Sequence, residues 1–307
     1  MVDGVRRAAR PFDGSASSGA SAPAVDPWLI FLDIDGTLVD DTHRPRSSAT
    51  RAVRQARARG HRVYLSTGRS RSGISDEIME IGFDGVVTAS GGFIETAEAL
   101  IATETMPEAD VSYLIDLFAS LDLEFTLQAR DRTYASIGLA DRMRPLLLEQ
   151  RRLAAGGVSA LAHLEQLEER FVYAGPPPLV GIAKATFVGL DALAYGRLCD
   201  AIEARFLPVT GTIPYLGELG GEVGLRTTNK GRSLRRVAEF HGIPMRRTMA
   251  VGDSANDLEM ITEAAVGVAM GDAPPTLIET ADFTTGTVAE DGIWRAFVRY
   301  GLVDDRG

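Results

Sequence analysis

Apolar residues come in short runs separated by longer stretches of mixed character, and the first run sets the pattern. Trp28-Leu29-Ile30-Phe31-Leu32 is continuously apolar, with a proline before it and a Gly-Thr turn after it, so it predicts a strand buried on both faces. Residues 47–59 (SSATRAVRQARAR) predict a helix, with Ser47 or Ser48 as its cap and Gly60 as its stop. His61 to Leu65 predicts a second strand, ended by Ser66-Thr67-Gly68-Arg69. A helix around 71–81 and a strand over Val86 to Ala89 follow.

The rhythm returns late in the chain. Lys230 to His241 predicts a helix ended by Gly242 and Pro244, and Thr248 to Val251 a strand running into Gly252-Asp253. Leu258 to Ala264 is the next helix and Val266 to Ala269 the next strand. Such alternation argues for an α/β fold with a parallel sheet and helices on both faces. The segment between has another character, with helices expected over 110–120, 141–154 and 190–205 and strands over 123–128 and 182–189. The simplest organisation is a core in two pieces, residues 27–106 and 218–303, with a domain over 107–217 inserted as a lid.

Composition narrows the class. The chain has 307 residues, 45% hydrophobic and 24% charged, which suits a globular protein with a sizeable core. Residues 1–26 are the exception. Their Ser, Ala and Gly content cannot bury enough apolar surface to order itself, so they read as a disordered tail or as the product of an upstream start-codon artefact. The formal net charge of -10 offers no broad basic footprint, so no nucleic-acid partner is expected. No apolar run approaches membrane-spanning length, and no membrane partner is expected. The single Cys199 rules out an internal disulfide and fits a reducing compartment, with the cytoplasm as the expected location.

Candidate chemistry gathers at strand ends. Asp33-Ile34-Asp35-Gly36-Thr37 places two carboxylates at the edge where α/β sheets hold ligands. Carboxylates this close repel, and a bound cation or one shared proton is the usual relief. A plain strand-turn with solvated acids is the alternative. Thr67 and Gly68, at the end of the second strand, can form a phosphate cradle, although Ser/Thr-Gly is also ordinary turn chemistry. Asp253 can complete a hard-cation site with Asn256 and Asp257 beside it, or the segment can be an Asx-rich helix cap. Lys230, at a helix start, can neutralise phosphate charge or can be solvated surface. Four such elements in one alternating chain are hard to reconcile with coincidence. Glu218 and Glu222, near the return to the core, read as a solvated loop, with a polyol-facing role as the alternative.

These residues resemble the motifs of the haloacid dehalogenase-like (HAD) phosphohydrolase superfamily. Asp33 to Thr37 is similar to its first motif, Thr67 to its second, Lys230 to its third and Gly252 to Asp257 to its fourth. The long insertion resembles the Cof-type subgroup with a C2 cap (subclass IIB). Ser90-Gly91-Gly92 stands where that subgroup usually carries Asn-Gly, and residues 130–180 match no familiar pattern. The resemblance implies a Rossmann-like parallel-sheet core with an inserted α+β cap, and Mg2+-dependent hydrolysis of a small phosphorylated metabolite.

It further implies that Asp33 is the nucleophile and Asp35 the general acid and base. Mg2+ would sit on Asp33, the Asp35 carbonyl and Asp253, with Asp257 in support. Thr67, Gly68, Lys230 and Asn256 would bind the phosphoryl oxygens. A phosphomutase or phosphotransferase with the same aspartyl-phosphate, or a non-catalytic sensor of metal and phosphate ligand, is the competing reading.

Overall fold

The computed structural model describes residues 26–40, 43–153, 171–173, 175–210 and 216–305. Apart from Asp26, the expected N-terminal tail lies outside the described residues. In chain order the elements begin with β1 (Leu29–Leu32), α1 (Ser47–Ala58), β2 (Arg62–Ser66), α2 (Asp76–Met79), β3 (Gly85–Thr88), β4 (Phe93–Thr96) and β5 (Leu100–Thr103). The middle of the chain forms α3 (Glu108–Ser120), β6 (Glu124–Gln128), β7 (Thr133–Ala135), α4 (Leu139–Leu153), β8 (Phe171–Val172), β9 (Lys184–Val188), α5 (Ala194–Ala201), β10 (Phe206–Thr210) and β11 (Gly220–Leu225). The remainder is α6 (Lys230–His241), β12 (Thr248–Gly252), α7 (Leu258–Glu263), β13 (Val266–Ala269), α8 (Pro275–Thr280), β14 (Phe283–Thr284) and α9 (Gly292–Arg299).

The strands form two sheets. The larger has the order β14-β13-β12-β1-β2-β3-β4-β5, with β1 at its centre between β12 and β2, both parallel to it. All four residues of β1 are buried, because their alternate side chains enter two different cores. Ile30 and Leu32 join the apolar cluster under α1 and α9, whereas Leu29 and Phe31 join the cluster under α6 and α7. Helix α1 buries Ala49, Ala52, Val53 and Ala56, the spacing of one helical face. Helix α6 is closed at both ends: the Asn229 side chain accepts from the Arg232 amide, and Gly242 takes a left-handed φ of 65° beyond its last turn.

The smaller sheet has the order β10-β11-β9-β6-β7-β8 and its own apolar core, built on Phe118, Phe125, Leu127, Phe187, Phe206 and Val223. Its central pairings are antiparallel. The observed architecture is therefore mixed α/β, a parallel core carrying a second α+β layer, as expected.

Four details depart from the sequence reading. Residues 220–225, within the stretch expected to return to the core and read there as a loop, form strand β11, which pairs with β9 and β10 in the smaller sheet. The helix expected over 71–81 is a 3-10 turn at Arg71–Gly73 followed by the single turn α2, with Ser75 extended between them. The Gly73 carbonyl accepts from Arg69 Nη1 rather than from a following helical amide. The helix expected over 190–205 is confined to α5. Strands β4 and β5, antiparallel additions to the sheet edge, were not anticipated.

Candidate active site

Strands β1, β2 and β12 end side by side, and their next residues are Asp33, Thr67 and Asp253. Asp33 is buried, and its amide donates to the Val251 carbonyl at 3.1 Å, tying the end of β1 to β12. The chain then turns at Gly36, whose φ is +77°. A β-carbon there would lie 2.2 Å from Asp253 Oδ2, so only glycine lets this turn close over Asp253. Thr37, beyond the turn, donates its hydroxyl to Asp253 Oδ1 at 2.8 Å.

Lys230 is fully buried and organises the centre. Its ammonium donates to Asp33 Oδ1 at 2.6 Å, to Asp257 Oδ1 at 2.6 Å and to Asn256 Oδ1 at 3.0 Å. A lysine only donates, so the oxygen of Asn256 must face it, and the amide NH2 is left free to serve another acceptor. Asp257 accepts on its other oxygen from the amides of Asp253 and Ser254, at 3.1 and 3.0 Å. Asp257 therefore holds the turn and the lysine together.

The electrostatics follow from burial. Desolvation pushes the Asp33 carboxyl up to about 7 against the pull of Lys230, with Asp257 and Asp35 adding repulsion. Asp253 is pushed higher, to about 9, again chiefly by burial and then by Asp33 and Asp257. Burial works against the Lys230 ammonium, but Asp257 and Asp33 outweigh it and raise its pKa. One buried cation thus faces three carboxylates, Asp33, Asp253 and Asp257, each of which offers one oxygen to a set lying within 4.8 Å of one another. An all-oxygen set with surplus negative charge fits a hard divalent cation, which would relieve the repulsion that otherwise favours protons.

Asp35 stands apart from that triad. Arg69 grips it with both prongs of the guanidinium, Nε to Oδ2 at 2.8 Å and Nη2 to Oδ1. His43 Nδ1 lies 4.0 Å from Asp35 Oδ1. Thr67 is buried, and its hydroxyl oxygen accepts from the Arg69 amide at 3.1 Å. Gly68 offers its carbonyl to Lys184, a residue of the smaller sheet.

The structure thus gathers Asp33, Lys230, Asp253, Asn256 and Asp257 directly, and places Asp35, Thr67 and Gly68 on the adjoining loops. Sequence reasoning passed over Arg69, Lys184 and Ser90. Arg69 had a signal, since an arginine next to the Thr-Gly turn shares the edge with Asp35. Glu222, expected in a solvated loop, is 8% exposed within β11 and pairs with Lys184.

With this geometry in place, comparison with known proteins becomes specific. A family model described as haloacid dehalogenase-like hydrolase matches residues 30–172 and 182–297. The chain belongs to that family. Among curated relatives, the phosphatase YwpJ of Bacillus subtilis is 29% identical over 285 residues, covering 86% of this chain and 96% of that protein. The 5-amino-6-(5-phospho-D-ribitylamino)uracil phosphatase YcsE of the same organism is 26% identical over 280 residues, covering 91% and 97%. Among solved structures, the one titled as the HAD subclass IIB sugar phosphatase BT4131 superposes with a TM-score of 0.70 at 22% identity. It covers 90% of this chain and 100% of that one, a likeness of fold. The expected membership of the capped, Cof-type HAD phosphatases is borne out. No helix among the described residues is long and apolar enough to cross a membrane.

Proposed function

We propose that this HAD-family phosphatase is a Mg2+-dependent phosphomonoester hydrolase that works through an aspartyl-phosphate on Asp33. Its substrate is a small phosphorylated metabolite, a sugar phosphate or a related compound. The observation that carries the proposal is the buried Lys230 ammonium bonded at once to Asp33, Asn256 and Asp257, with Asp253 completing the carboxylate group.

In this reading Asp33 attacks phosphorus and the leaving alkoxide departs. Water then cleaves the acyl phosphate, so one difficult displacement becomes two easier ones. Lys230 keeps Asp33 oriented and ionised for attack, and it offsets charge on the phosphoryl oxygens. Those oxygens are held by the Thr67 hydroxyl, the free amide NH2 of Asn256 and the backbone amide of Gly68. Asp35 protonates the leaving oxygen and later takes the proton from water. The Arg69 fork fixes the position of that carboxylate for both steps.

Asp33, the Asp35 carbonyl and Asp253 would hold the cation, with Asp257 supporting from behind. Bound there, Mg2+ would supply Lewis-acid charge that lets a carboxylate approach a phosphate dianion. The ribityl phosphate in the name of one relative supports a hydroxylated leaving group.

Phosphate release from a panel of phosphomonoesters, with Mg2+ and with excess chelator, tests the reading. Metal-dependent release of free phosphate is expected. An isomeric phosphate ester as sole product would establish a mutase instead, and binding without turnover would establish a sensor.

A further inference from the structure

Outside the active site, a cavity of about 360 Å³ lies against β3, β4 and β5, where the smaller sheet reaches the edge of the larger one. Its floor is apolar. Met79, Phe83 and Val86 form it, at the margin of the cluster under α1 and α9. Its walls carry charge. Val86 and Glu95 stand opposite each other on β3 and β4, so Glu95 lies on the cavity side of the sheet.

Glu95 is buried and accepts from Arg130 Nε, in the turn between β6 and β7, at 2.6 Å. Arg71 lines the cavity from the 3-10 turn after β2. Among the described residues its guanidinium has no hydrogen bond and no ion pair. Glu98 stands across the cavity lining in the turn between β4 and β5.

This lining selects a ligand. An unpaired guanidinium beside an apolar floor suits a carboxylate on an apolar body. Arg130 is already engaged by Glu95, so it brings no second free cation. Glu95 and Glu98 repel a second negative charge. The volume falls within the usual span of small-molecule sites, roughly 300–1,000 Å³.

The turn that carries Arg71 also touches the active site. Its Gly73 carbonyl accepts from Arg69 Nη1 at 2.9 Å, and Arg69 holds Asp35 in its fork. The smaller sheet reaches the same stretch, where Thr133 donates to Ser70 Oγ at 3.0 Å and both side chains are buried. A ligand that fits the cavity as it stands favours this arrangement over others.

We propose that the cavity is an effector site for a singly charged carboxylate with an apolar body. Arg71 takes the carboxylate, and Met79, Phe83 and Val86 take the body. Occupancy steadies the Arg71–Gly73 turn and, through Arg69, the Asp35 carboxylate. Binding here is independent of the reaction, whereas the effect on turnover rests on the hydrolase reading above.

The test uses 3-phenylpropionate as the probe. Its uncharged, doubly charged and body-less counterparts are 3-phenylpropanamide, benzylmalonate and acetate. Calorimetry without added Mg2+, which benzylmalonate would chelate, should show 3-phenylpropionate binding about tenfold or more tighter than each counterpart. Arg71→Met should lose about tenfold in that affinity. In spectra of 13C-methyl methionine, the Met79 signal, assigned with Met79→Leu, should move most on binding. That signal locates the site even if Arg71→Met misfolds. Saturating 3-phenylpropionate should raise kcat/KM on an alkyl phosphate about fivefold in the wild type and not in Arg71→Met.

No binding of 3-phenylpropionate, undiminished binding in Arg71→Met, or an unmoved Met79 signal would overturn the site. Equal affinity for the amide or for benzylmalonate would overturn the class of ligand. Binding with unchanged turnover would overturn the effector role. Failure to release phosphate from any phosphomonoester would instead remove the hydrolase reading, with calorimetry and the Met79 signal still deciding the site.

Discussion

The two sheets hold their polar groups in different ways. At the centre of the larger sheet β1 is wholly apolar, β2 and β12 are largely so, and the candidate site side chains begin where these strands stop, at Asp33, Thr67 and Asp253. In the smaller sheet Glu222 lies within a strand, Lys184 opens one and Gln128 closes one, where alternation turns one face to the apolar core and the other to the active-site loops. Strand-end groups are fixed by backbone turns, and in the proposed function they serve the phosphoryl group common to every substrate. Groups held on strands can be exchanged without moving the backbone, which would suit a part of the molecule that reads a variable leaving group.

The sharpest way to break this division is Asp33→Asn. It should cost on the order of 10⁴-fold in kcat or more on every substrate, as loss of a covalent nucleophile does. Thermal unfolding should be little changed, because the carboxylate is disfavoured by its own burial. Substantial retained activity would remove Asp33 from the central role.

The division of cores is tested by Phe187→Ala. Phe187 is fully buried between Phe118 and Tyr195, with ring centroids 6.4 and 6.5 Å away. Truncation should cost about 3–5 kcal/mol, felt in the smaller sheet alone. Hydrogen exchange should show lost protection in β6, β9 and β11 with β1 and β12 unaffected. Uniform loss across both sheets would mean that they unfold as one unit.

Legibility follows the same contrast. The core strands and Asp33, Thr67 and Asp253 stood out because the apolar runs before them end abruptly in Asp, Thr or Gly, a break visible without neighbours. Lys184 and Gln128 gave no such break. In an alternating strand a polar residue looks like a solvent-facing position, and only pairing shows that this face is covered. Glu222 was misread for a related reason: Gly220 and Gly221 before it look like a loop, whereas in β11 they pair with Val188 and Phe187. Arg69 was overlooked because its partner Asp35 is 34 residues away in sequence.

A smaller effect is expected from Arg69→Lys, which keeps the charge but loses the two-pronged grip on Asp35. Misplacing the general acid should cost roughly 10- to 100-fold on alkyl phosphates, and less on p-nitrophenyl phosphate, whose leaving group needs no proton. Equal losses on both would argue that Arg69 supports the loop rather than the acid.

The smallest effect is one of pH. Asp33 and Asp253 titrate in the folded protein near 7 and 9, against 3.8 when unfolded. Between those limits the folded state holds more protons than the unfolded state, so these two groups stabilise the metal-free protein below about pH 4. That contribution is lost as pH rises through 7 and 9. Mg2+ competes with those protons and favours the ionised forms. The gain in Tm on adding Mg2+ should therefore grow from pH 5 to pH 9. A gain that is flat or shrinks over that range would place the cation elsewhere.

The most direct test of the account is to trap the intermediate. Asp35→Asn protein mixed with acetyl phosphate and Mg2+ should be phosphorylated, since acetate leaves without a general acid, but water would attack slowly without a base. Borohydride reduction should then convert residue 33 to homoserine, read by mass spectrometry of the peptide that contains it. Homoserine at position 33, absent when phosphate donor or Mg2+ is omitted, is the predicted result. Phosphate release with residue 33 unmodified, or reduction at Asp253 or Asp257 instead, would contradict it.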